Sequence, residues 1–391
     1  MFSVYIHVPF CLRRCHYCDF ITYADQLDFL PDYVEAAAQE IRQLGLAAGS
    51  SAAAADTVYF GGGTPSLMEP MLVARLLEEL SRAFGIAPSA EISLEANPGT
   101  LHPKKLKALR AEGVNRLSLG VQSFSDEELR LLGRIHSRQQ AEESIRWARE
   151  AGFEQLNLDL ISGLPRQTLE EWRENLQAAV SFRPEHLSVY SLIVEEGTLL
   201  ERQIASGALP EPDEDLAADM YELTQELLAQ AGYTQYEISN WALTENCQSR
   251  HNTAYWKTTP YVGIGAAAHS FAGSYRTENV RGIQDYIKRI RQWEPDLQFP
   301  FSPANLNRTK LEPFTQMQES MLLGLRLTHE GISLSEFERR FGQDAREVFT
   351  AEIMRLQKKQ LVEFAQFADG PHLRLTRRGV LVGNQAFMEF V

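Results

Sequence analysis

The sequence lacks three features that would define whole classes of protein. It has only four cysteines in 391 residues, too few for the disulfide framework of a secreted domain. No segment approaches the ~18 apolar residues of a membrane span, and the start, MFSVYIHVPF, has no basic region of an export signal. An excess of basic residues is absent, since 52 acidic residues outnumber 38 basic ones, and the formal net charge of −14 repels a polyphosphate backbone. We therefore expect a cytoplasmic protein with reduced thiols, no transmembrane segment and no nucleic-acid partner.

Apolar residues are abundant enough for a large buried core. Hydrophobic residues make up 44% of the chain and charged residues 23%, which is typical of folded globular proteins rather than disordered ones. A chain of 391 residues exceeds one ordinary hydrophobic core. We expect a large α/β domain and a smaller second domain.

Short apolar segments alternate with amphipathic helical patterns through the first half of the chain. The six predicted strands are SVYIHV, TVYF, EISLEA, NRLSLGV, QLNLDLI and HLSVYSL. Six β-then-α units predict a parallel sheet covered by helices, which either closes into a full or partial barrel or stays open. In each case binding sites lie at the carboxyl ends of strands, where CLRRCHYC, GGGTPS, EANPGT and GVQSF all fall.

A polar, proline-rich stretch separates this region from the C-terminal part of the chain. We predict a core domain over residues 1–295, a linker over residues 296–313 and a C-terminal domain over residues 314–391. The predicted order of helix, helix, hairpin and helix in the last domain resembles a winged helix, with LVEFAQFADGPHLRLT forming two strands around a DG turn. Because a fold does not fix a function, we expect a structural or lid role for this domain.

Three of the four cysteines lie within eight positions, in the pattern C-x3-C-x2-C formed by Cys11, Cys15 and Cys18. A loop after the first strand can bring three thiolates together, and iron–sulfur clusters are held by thiolates. With three protein ligands, one iron of a cubane cluster stays open to an exchangeable ligand. Catalytic zinc sites likewise keep one coordination position open for a water or substrate. The alternatives are a structural zinc site completed by His7 or His16, and three thiols without a metal.

The stretch YIHVPFCLRRCHYCDF resembles the signature of radical S-adenosylmethionine (SAM) enzymes. The resemblance implies that the three cysteines hold a [4Fe-4S] cluster, whose open iron is chelated by the amino and carboxylate groups of SAM. It also implies a partial (β/α)6 TIM-type barrel and cleavage of SAM to methionine and a 5′-deoxyadenosyl radical. The stretch GGGTP alone predicts only a tight turn or a close approach to a ligand. In the family that it resembles, this stretch holds the SAM amino group, which implies that Gly62, Gly63 and Thr64 bind SAM.

Other polar residues follow the later predicted strands. They are Glu95 in LEANP, Gln122 in GVQSF, Arg134 in LGRIH and Asp159 in NLDLI. Each alone could be a strand-end or helix-cap residue, whereas together they offer carboxylates for amino or hydroxyl groups and a guanidinium for the methionine carboxylate. All four match SAM-contacting positions in the coproporphyrinogen-oxidase-like branch of the radical SAM family, and Tyr5 and Tyr17 match two more.

The resemblance covers nearly the whole chain and leaves two sub-families, the oxygen-independent coproporphyrinogen III oxidases and the HemW heme chaperones. Three departures from the oxidase pattern favour HemW. Phe20 stands where the oxidases have another cysteine, the first strand starts almost at Met1 where the oxidases have an extension, and RHNTAYW is a HemW-type motif. Imidazole is a familiar ligand of heme iron, so His251 is the candidate heme ligand, with a hydrogen-bonded loop histidine as the alternative. His269 is a second candidate, and Cys247 is the remaining thiol.

These resemblances imply a heme chaperone that binds heme, a [4Fe-4S] cluster and SAM, and transfers heme to an acceptor such as a respiratory heme protein. An electron donor such as a flavodoxin or ferredoxin is implied as a second partner. SAM cleavage is expected, and coproporphyrinogen III dehydrogenase activity is not. The alternatives are the oxidase, which decarboxylates propionates in porphyrin biosynthesis, and a non-catalytic module with a structural metal site.

Overall fold

The repeated β-then-α pattern forms a parallel sheet in the computed structural model, which describes residues 1–49, 53–292 and 296–391. The six parallel strands are β1 (Ser3–Val8), β2 (Ala55–Gly62), β3 (Ile86–Ala96), β4 (Arg116–Gln122), β5 (Gln155–Ser162) and β6 (His186–Ser191). They lie side by side in chain order. The prediction of a parallel sheet is confirmed, and so are all six predicted strands.

Helices cover the outer face of this sheet. They are α1 (Leu30–Ala48), α2 (Pro70–Ala83), α3 (Pro103–Ala111), α4 (Asp126–Leu131), α5 (Arg138–Glu150) and α6 (Leu169–Ser181). Proline occupies the first turn of α1, α2 and α3, where its missing N–H has no cost. Helices α5 and α6 begin with capping boxes formed by Ser137 with Gln140 and by Thr168 with Glu171. Local sequence therefore sets where these helices begin.

Further strands extend the sheet at both ends without closing it. Its order is β12-β11-β10-β9-β1-β2-β3-β4-β5-β6-β8-β7. The added strands are β7 (Thr234–Glu237), β8 (Asn240–Ala242), β9 (Tyr261–Ile264), β10 (His269–Ala272), β11 (Tyr275–Asn279) and β12 (Asn305–Lys310). The intervening helices are α7 (Leu199–Ala205), α8 (Glu214–Gln230), α9 (Arg250–Trp256) and α10 (Ile283–Ile290). The result is the open, partial barrel that the resemblance implied.

The two faces of the parallel strands differ in chemistry because side chains alternate along a strand. One alternate set is apolar and packs against the helices in the main hydrophobic core, as Val4, Leu94 and Leu158 do. The other set is largely polar and lines the concave face, as Ser93 and Asn157 do. A closed TIM barrel fills this space with branched apolar side chains. Here the polar lining leaves room for a cavity.

The C-terminal part has its own hydrophobic core and a winged-helix-like order. Its elements are α11 (Pro313–Gly324), β13 (Ile332–Ser333), α12 (Leu334–Phe341), α13 (Ala345–Val348), α14 (Thr350–Lys358), β14 (Val362–Phe367), β15 (Gly370–Leu375), α15 (Arg377–Leu381) and α16 (Gly383–Phe387). The three strands form one sheet, and β14 and β15 form the predicted hairpin. Its turn residues are Ala368 and Asp369, one position earlier than predicted, because Gly370 already pairs with Phe367. Over the described residues, no helix combines the length and apolar character needed to cross a membrane.

The prediction of a linker over residues 296–313 needs correction. Within it, strand β12 pairs antiparallel with β11 and forms one edge of the large sheet, and α11 begins at Pro313. The sequence NLNRTK has no apolar alternation because most of this edge strand is exposed, so periodicity could not reveal it. The predicted end of the core at residue 295 lies outside the described residues.

Candidate functional site

The carboxyl ends of the parallel strands open into a cavity of about 420 Å³. Most of the predicted site residues line it: Cys11, Cys15, Tyr17, Cys18, Gly62, Gly63, Thr64, Glu95, Gln122, Arg134 and Asp159. Tyr5 and His251 are not among the lining residues. The structure thus brings eleven of the thirteen predicted residues to one place, although they come from five different strand–loop units.

The glycine-rich turn after β2 is fastened to the start of the cysteine loop. The N–H of Gly63 donates to the carbonyl of Val8 at 2.9 Å, and the N–H of Thr64 donates to the carbonyl of Phe10 at 2.8 Å. A Cβ at position 63 would lie 2.6 Å from the carbonyl oxygen of Phe10. At Gly62, where φ is +112°, a Cβ would lie 2.5 Å from the imidazole ring of His7. Glycine is therefore required here by the close approach of two backbone segments.

Three thiols line the same cavity, and two of them have altered acidity. Burial raises the pKa of Cys11, and it raises the pKa of Cys18 to about 11. The hydroxyl of Thr64 donates to Sγ of Cys11 at 3.5 Å, and Nη1 of Arg134 donates to Sγ of Cys15 at 3.4 Å. Without a metal, burial favours the neutral form of these two thiols, and a bound cation would favour their thiolates.

The donor geometry fits a polynuclear cluster better than a single zinc ion. Within the described ranges, no three His, Cys, Asp or Glu side chains converge closely enough to hold one metal ion. Nε2 of His7 donates to the carbonyl of Ile21 at 3.2 Å, and Nδ1 of His16 donates to the carbonyl of Leu131 at 2.9 Å. In a cubane each thiolate binds a different iron, so the three sulfurs need not meet at one point.

Arg134 joins the cysteine loop to the end of β4. Its Nη2 donates to the carbonyl of Gly120 at 2.6 Å, while Nη1 contacts the sulfur of Cys15. Its Nε is buried, and no described residue accepts a hydrogen bond from it. A Cβ at Gly120 would lie 2.9 Å from the amide of Gln122, whose own φ is +66°. A buried guanidinium with an unused donor suits a ligand carboxylate.

Two carboxyl groups face the cavity from β3 and β5. Glu95 accepts from the Tyr59 hydroxyl at 2.8 Å and from the N–H of Gly62 at 3.1 Å, and burial raises its pKa to about 7. Asp159 accepts from Asn157 at 2.7 Å and from Ser118 at 3.1 Å, and burial raises its pKa as well. Both can accept hydrogen bonds from hydroxyl or ammonium groups of a bound ligand.

Sequence reasoning missed a group of polar side chains inside the cavity, here called the polar floor, which includes Arg116, Asn157 and His186. His186 is hydrogen-bonded to Asn157 at 2.7 Å and to the hydroxyl of Tyr236 at 2.8 Å. Nη1 of Arg116 donates to the carbonyl of Cys247 at 2.9 Å and lies 3.8 Å from a carboxylate oxygen of Glu91. The signal was present as alternate polar residues in the strand sequences, for example in RLSLGVQ and HLSVYS.

His251 lies below this floor, on α9, and not in the cavity. Its side chain is buried, with only 1% of the residue exposed, and its ring nitrogens are hydrogen-bonded to Thr57 at 2.7 Å and to Tyr255 at 2.9 Å. Its N–H donates to Glu91 at 3.1 Å, and burial lowers its pKa to about 3. These contacts pack α9 against strands β2 and β3. They work against the predicted role of His251 as a heme ligand, since no ring nitrogen is available.

The other predicted residues outside the cavity also have local partners. The hydroxyl of Tyr5 donates to Nδ1 of His7 at 2.9 Å, close to the glycine-rich turn. Cys247 is buried and hydrogen-bonded to Thr244 at 3.1 Å. His269 is exposed on β10. The structure therefore does not gather these residues around one ligand.

Comparison with known proteins relates both parts of the chain to described families. Residues 5–179 match the Radical SAM superfamily, and residues 311–382 match the HemN C-terminal domain. A Bacillus subtilis (strain 168) protein named heme chaperone HemW is 37% identical over 394 residues, covering 100% of this chain and 99% of that protein. The Bos taurus mitochondrial protein named radical S-adenosyl methionine domain-containing protein 1 is 37% identical, covering 84% of this chain and 74% of that protein.

A solved structure shares the whole architecture. Coproporphyrinogen III oxidase (HemN) from Escherichia coli, described as a radical SAM enzyme, aligns with a TM-score of 0.82 at 26% identity. The alignment covers 100% of this chain and 89% of that one. Partial barrel and C-terminal domain therefore occur together in both proteins.

Proposed function

This chain belongs to the HemW family of radical SAM proteins, and from this premise we propose that it is a heme chaperone. It would bind heme, a [4Fe-4S] cluster and SAM, and pass heme to an acceptor protein in the cytoplasm. The observation that carries the proposal is the similarity to a protein named heme chaperone HemW, at 37% identity over 100% of this chain and 99% of that protein. The cavity supports the cofactor part of the proposal independently, because thiols, a guanidinium and carboxyls meet there.

In this proposal Cys11, Cys15 and Cys18 hold the cluster, and the remaining cavity takes SAM. When bound together, the cluster and SAM supply one-electron cleavage of a carbon–sulfur bond of the sulfonium. Arg134 is placed to pair with the carboxylate of the methionine part, because its unused Nε is buried beside the cysteine loop. Its contact with Cys15 also fixes the position of that sulfur.

Other predicted residues would orient the rest of SAM. Glu95 stands next to the glycine-rich turn and can accept a hydrogen bond from the amino group of the methionine part, while Asp159 can accept hydrogen bonds from the ribose hydroxyl groups. Tyr17 packs beside the apolar cluster of Leu132, Ile161 and Leu164, which offers a surface for the adenine ring. These assignments stay predictions, and they are supported by the shared location of the residues.

The second candidate function is radical decarboxylation of coproporphyrinogen III. The TM-score of 0.82 to the Escherichia coli oxidase favours it. Against it, Phe20 stands where the oxidases carry another cysteine, and this phenyl ring lines the cavity.

An anaerobic assay of reconstituted protein tests both functions. We expect stoichiometric heme uptake, followed by transfer to an apo-form of a respiratory heme protein, and no vinyl product from coproporphyrinogen III. A flavodoxin or ferredoxin serves as the electron donor in the same assay. Multiple turnovers to a vinyl product would overturn the chaperone proposal, and so would wild-type protein that takes up no heme.

A further inference from the structure

Two loops face each other at the mouth of the cavity. One follows β1 and carries the cysteines, and the other, residues 192–198, follows β6. The N–H of Leu200 donates to the carbonyl of His16 at 2.9 Å, and the N–H of Leu192 donates to the carbonyl of Ser162 at 2.9 Å. The first bond ties the start of α7, directly after the second loop, to the cysteine loop, and the second bond ties the start of the second loop to the end of β5. Both loops contribute side chains to the lining of the same cavity.

The two loops expose two large apolar side chains. Phe20, on the cysteine loop, is 65% exposed, and Ile193, on the facing loop, is 68% exposed. Both line the cavity, and Tyr190 lies with them at the carboxyl end of β6. Leu12 is also exposed, at 48%, but it does not line the cavity. An exposed aromatic and an exposed aliphatic side chain at one opening favour an apolar ligand.

The same mouth carries two adjacent cations. Arg13 and Arg14 both line it, and Nε of Arg14 donates to the carbonyl of Cys18 at 3.2 Å, which holds that guanidinium across the loop. In the part of the chain that the structure describes, no residue forms an ion pair or hydrogen bond with the side chain of Arg13. The acids at the mouth are Asp19 and Glu195. Two neighbouring guanidinium groups suit a ligand with two carboxylates on one edge.

The interior is too small for a tetrapyrrole beside the proposed cofactors. A cavity of about 420 Å³ has the size of a site for one drug-sized ligand. SAM and the cluster would occupy that space, and a whole heme molecule has more non-hydrogen atoms than SAM. The mouth is where a third ligand of this size can be placed beside them, with one of its faces accessible to an acceptor.

Resting on the proposed function, we propose that heme binds at this mouth, with its macrocycle against Phe20 and Ile193 and its propionates on Arg13 and Arg14. The site combines an apolar surface for the ring with cations for the carboxylates. It also explains why a chaperone can release its cargo, since the bound heme is not enclosed. No ring nitrogen of the buried His251 is needed.

The test is an anaerobic titration of reconstituted protein with hemin, followed by Soret absorbance. We expect Phe20→Ala to weaken binding about tenfold to a hundredfold, because burying a phenyl ring contributes this much. The double variant Arg13→Gln with Arg14→Gln should weaken binding about tenfold and remove most of its salt dependence. Leu12→Ala, in the same loop but outside the cavity, is the matched control and should bind as wild type does.

Iron, sulfide and SAM binding are measured in each variant to show that the cysteine loop is intact. Ile193→Asp provides a change on the facing loop, away from the cysteines, and should also weaken hemin binding. If all of these variants bound hemin as tightly as the wild type does, the proposed heme site would be overturned and the chaperone function would stand. Absence of hemin binding by the wild type would instead overturn the proposed function itself.

Discussion

Glu95→Gln removes a buried charge at the cavity while keeping the shape of the side chain. Burial raises the pKa of Glu95 to about 7 from its ordinary value of 4.5. Between these two values the folded state binds more protons than the unfolded state, so the free energy of unfolding falls as pH rises. The full difference corresponds to ~3 kcal/mol, at ~1.4 kcal/mol for each pH unit.

We therefore expect the variant to gain stability over the wild type as pH rises from 5 to 8, by up to ~3 kcal/mol. The glutamine oxygen can still accept from Gly62, and the hydroxyl of Tyr59 can accept where it formerly donated. Urea denaturation of cofactor-free, reduced protein at several pH values measures the difference. A constant offset between variant and wild type across this range would refute the reasoning.

A second buried carboxyl supplies the matched control. Burial also raises the pKa of Glu237 to about 7, but this residue does not line the cavity. Glu237→Gln should show the same gain in stability with pH and leave SAM binding unchanged. Glu95→Gln should weaken SAM binding by about tenfold or more, because it removes a charged acceptor for the amino group. Equal SAM affinity in both variants would remove Glu95 from the proposed SAM site.

Three further changes test the site and its support. Cys15→Ser should abolish the cluster and SAM cleavage while the fold persists, and unchanged 5′-deoxyadenosine production would contradict the ligand assignment. His251→Ala should lower the free energy of unfolding by ~2–4 kcal/mol, because it leaves buried partners unpaired; weaker hemin binding with unchanged stability would instead support His251 as a heme ligand. Gly63→Ala should lower stability by ~1–3 kcal/mol and reduce cluster content, because its Cβ would lie 2.6 Å from a carbonyl oxygen. Gly99→Ala, where a Cβ would meet nothing closer than 3.5 Å, is its control and should reconstitute normally.

The parallel sheet could be predicted from the sequence because two signals agree. Buried strands read as short apolar segments, and the helices between them begin with proline or a capping box. Strand β12 could not be predicted in this way, because an exposed edge strand buries no apolar face. Its position depends on pairing with β11, from which α10 separates it in the sequence.

The residues of the cavity were predictable to different degrees. Cys11, Cys15 and Cys18 are close in sequence, so spacing alone indicated a common site. The position of Glu95 and Asp159 after predicted strands made them candidates, but only the family resemblance gave them a role, since a single carboxylate at a strand end has many roles. For His251 the motif could not distinguish a ligand from a packed residue, because burial and both hydrogen-bond partners depend on the fold.

The polar floor connects the fold with its function. A barrel filled with valine and leucine would gain stability from burial, whereas this one places polar groups in its interior, where each needs a partner. Among the described residues nothing pairs with Nη2 of Arg116 or with the hydroxyl of Ser93, and both side chains line the cavity. Such groups can form hydrogen bonds with a polar ligand, which valine and leucine side chains cannot do. The inward-facing residues of the strands thus suit the binding of a polar ligand, and the outward-facing residues that alternate with them form the hydrophobic core.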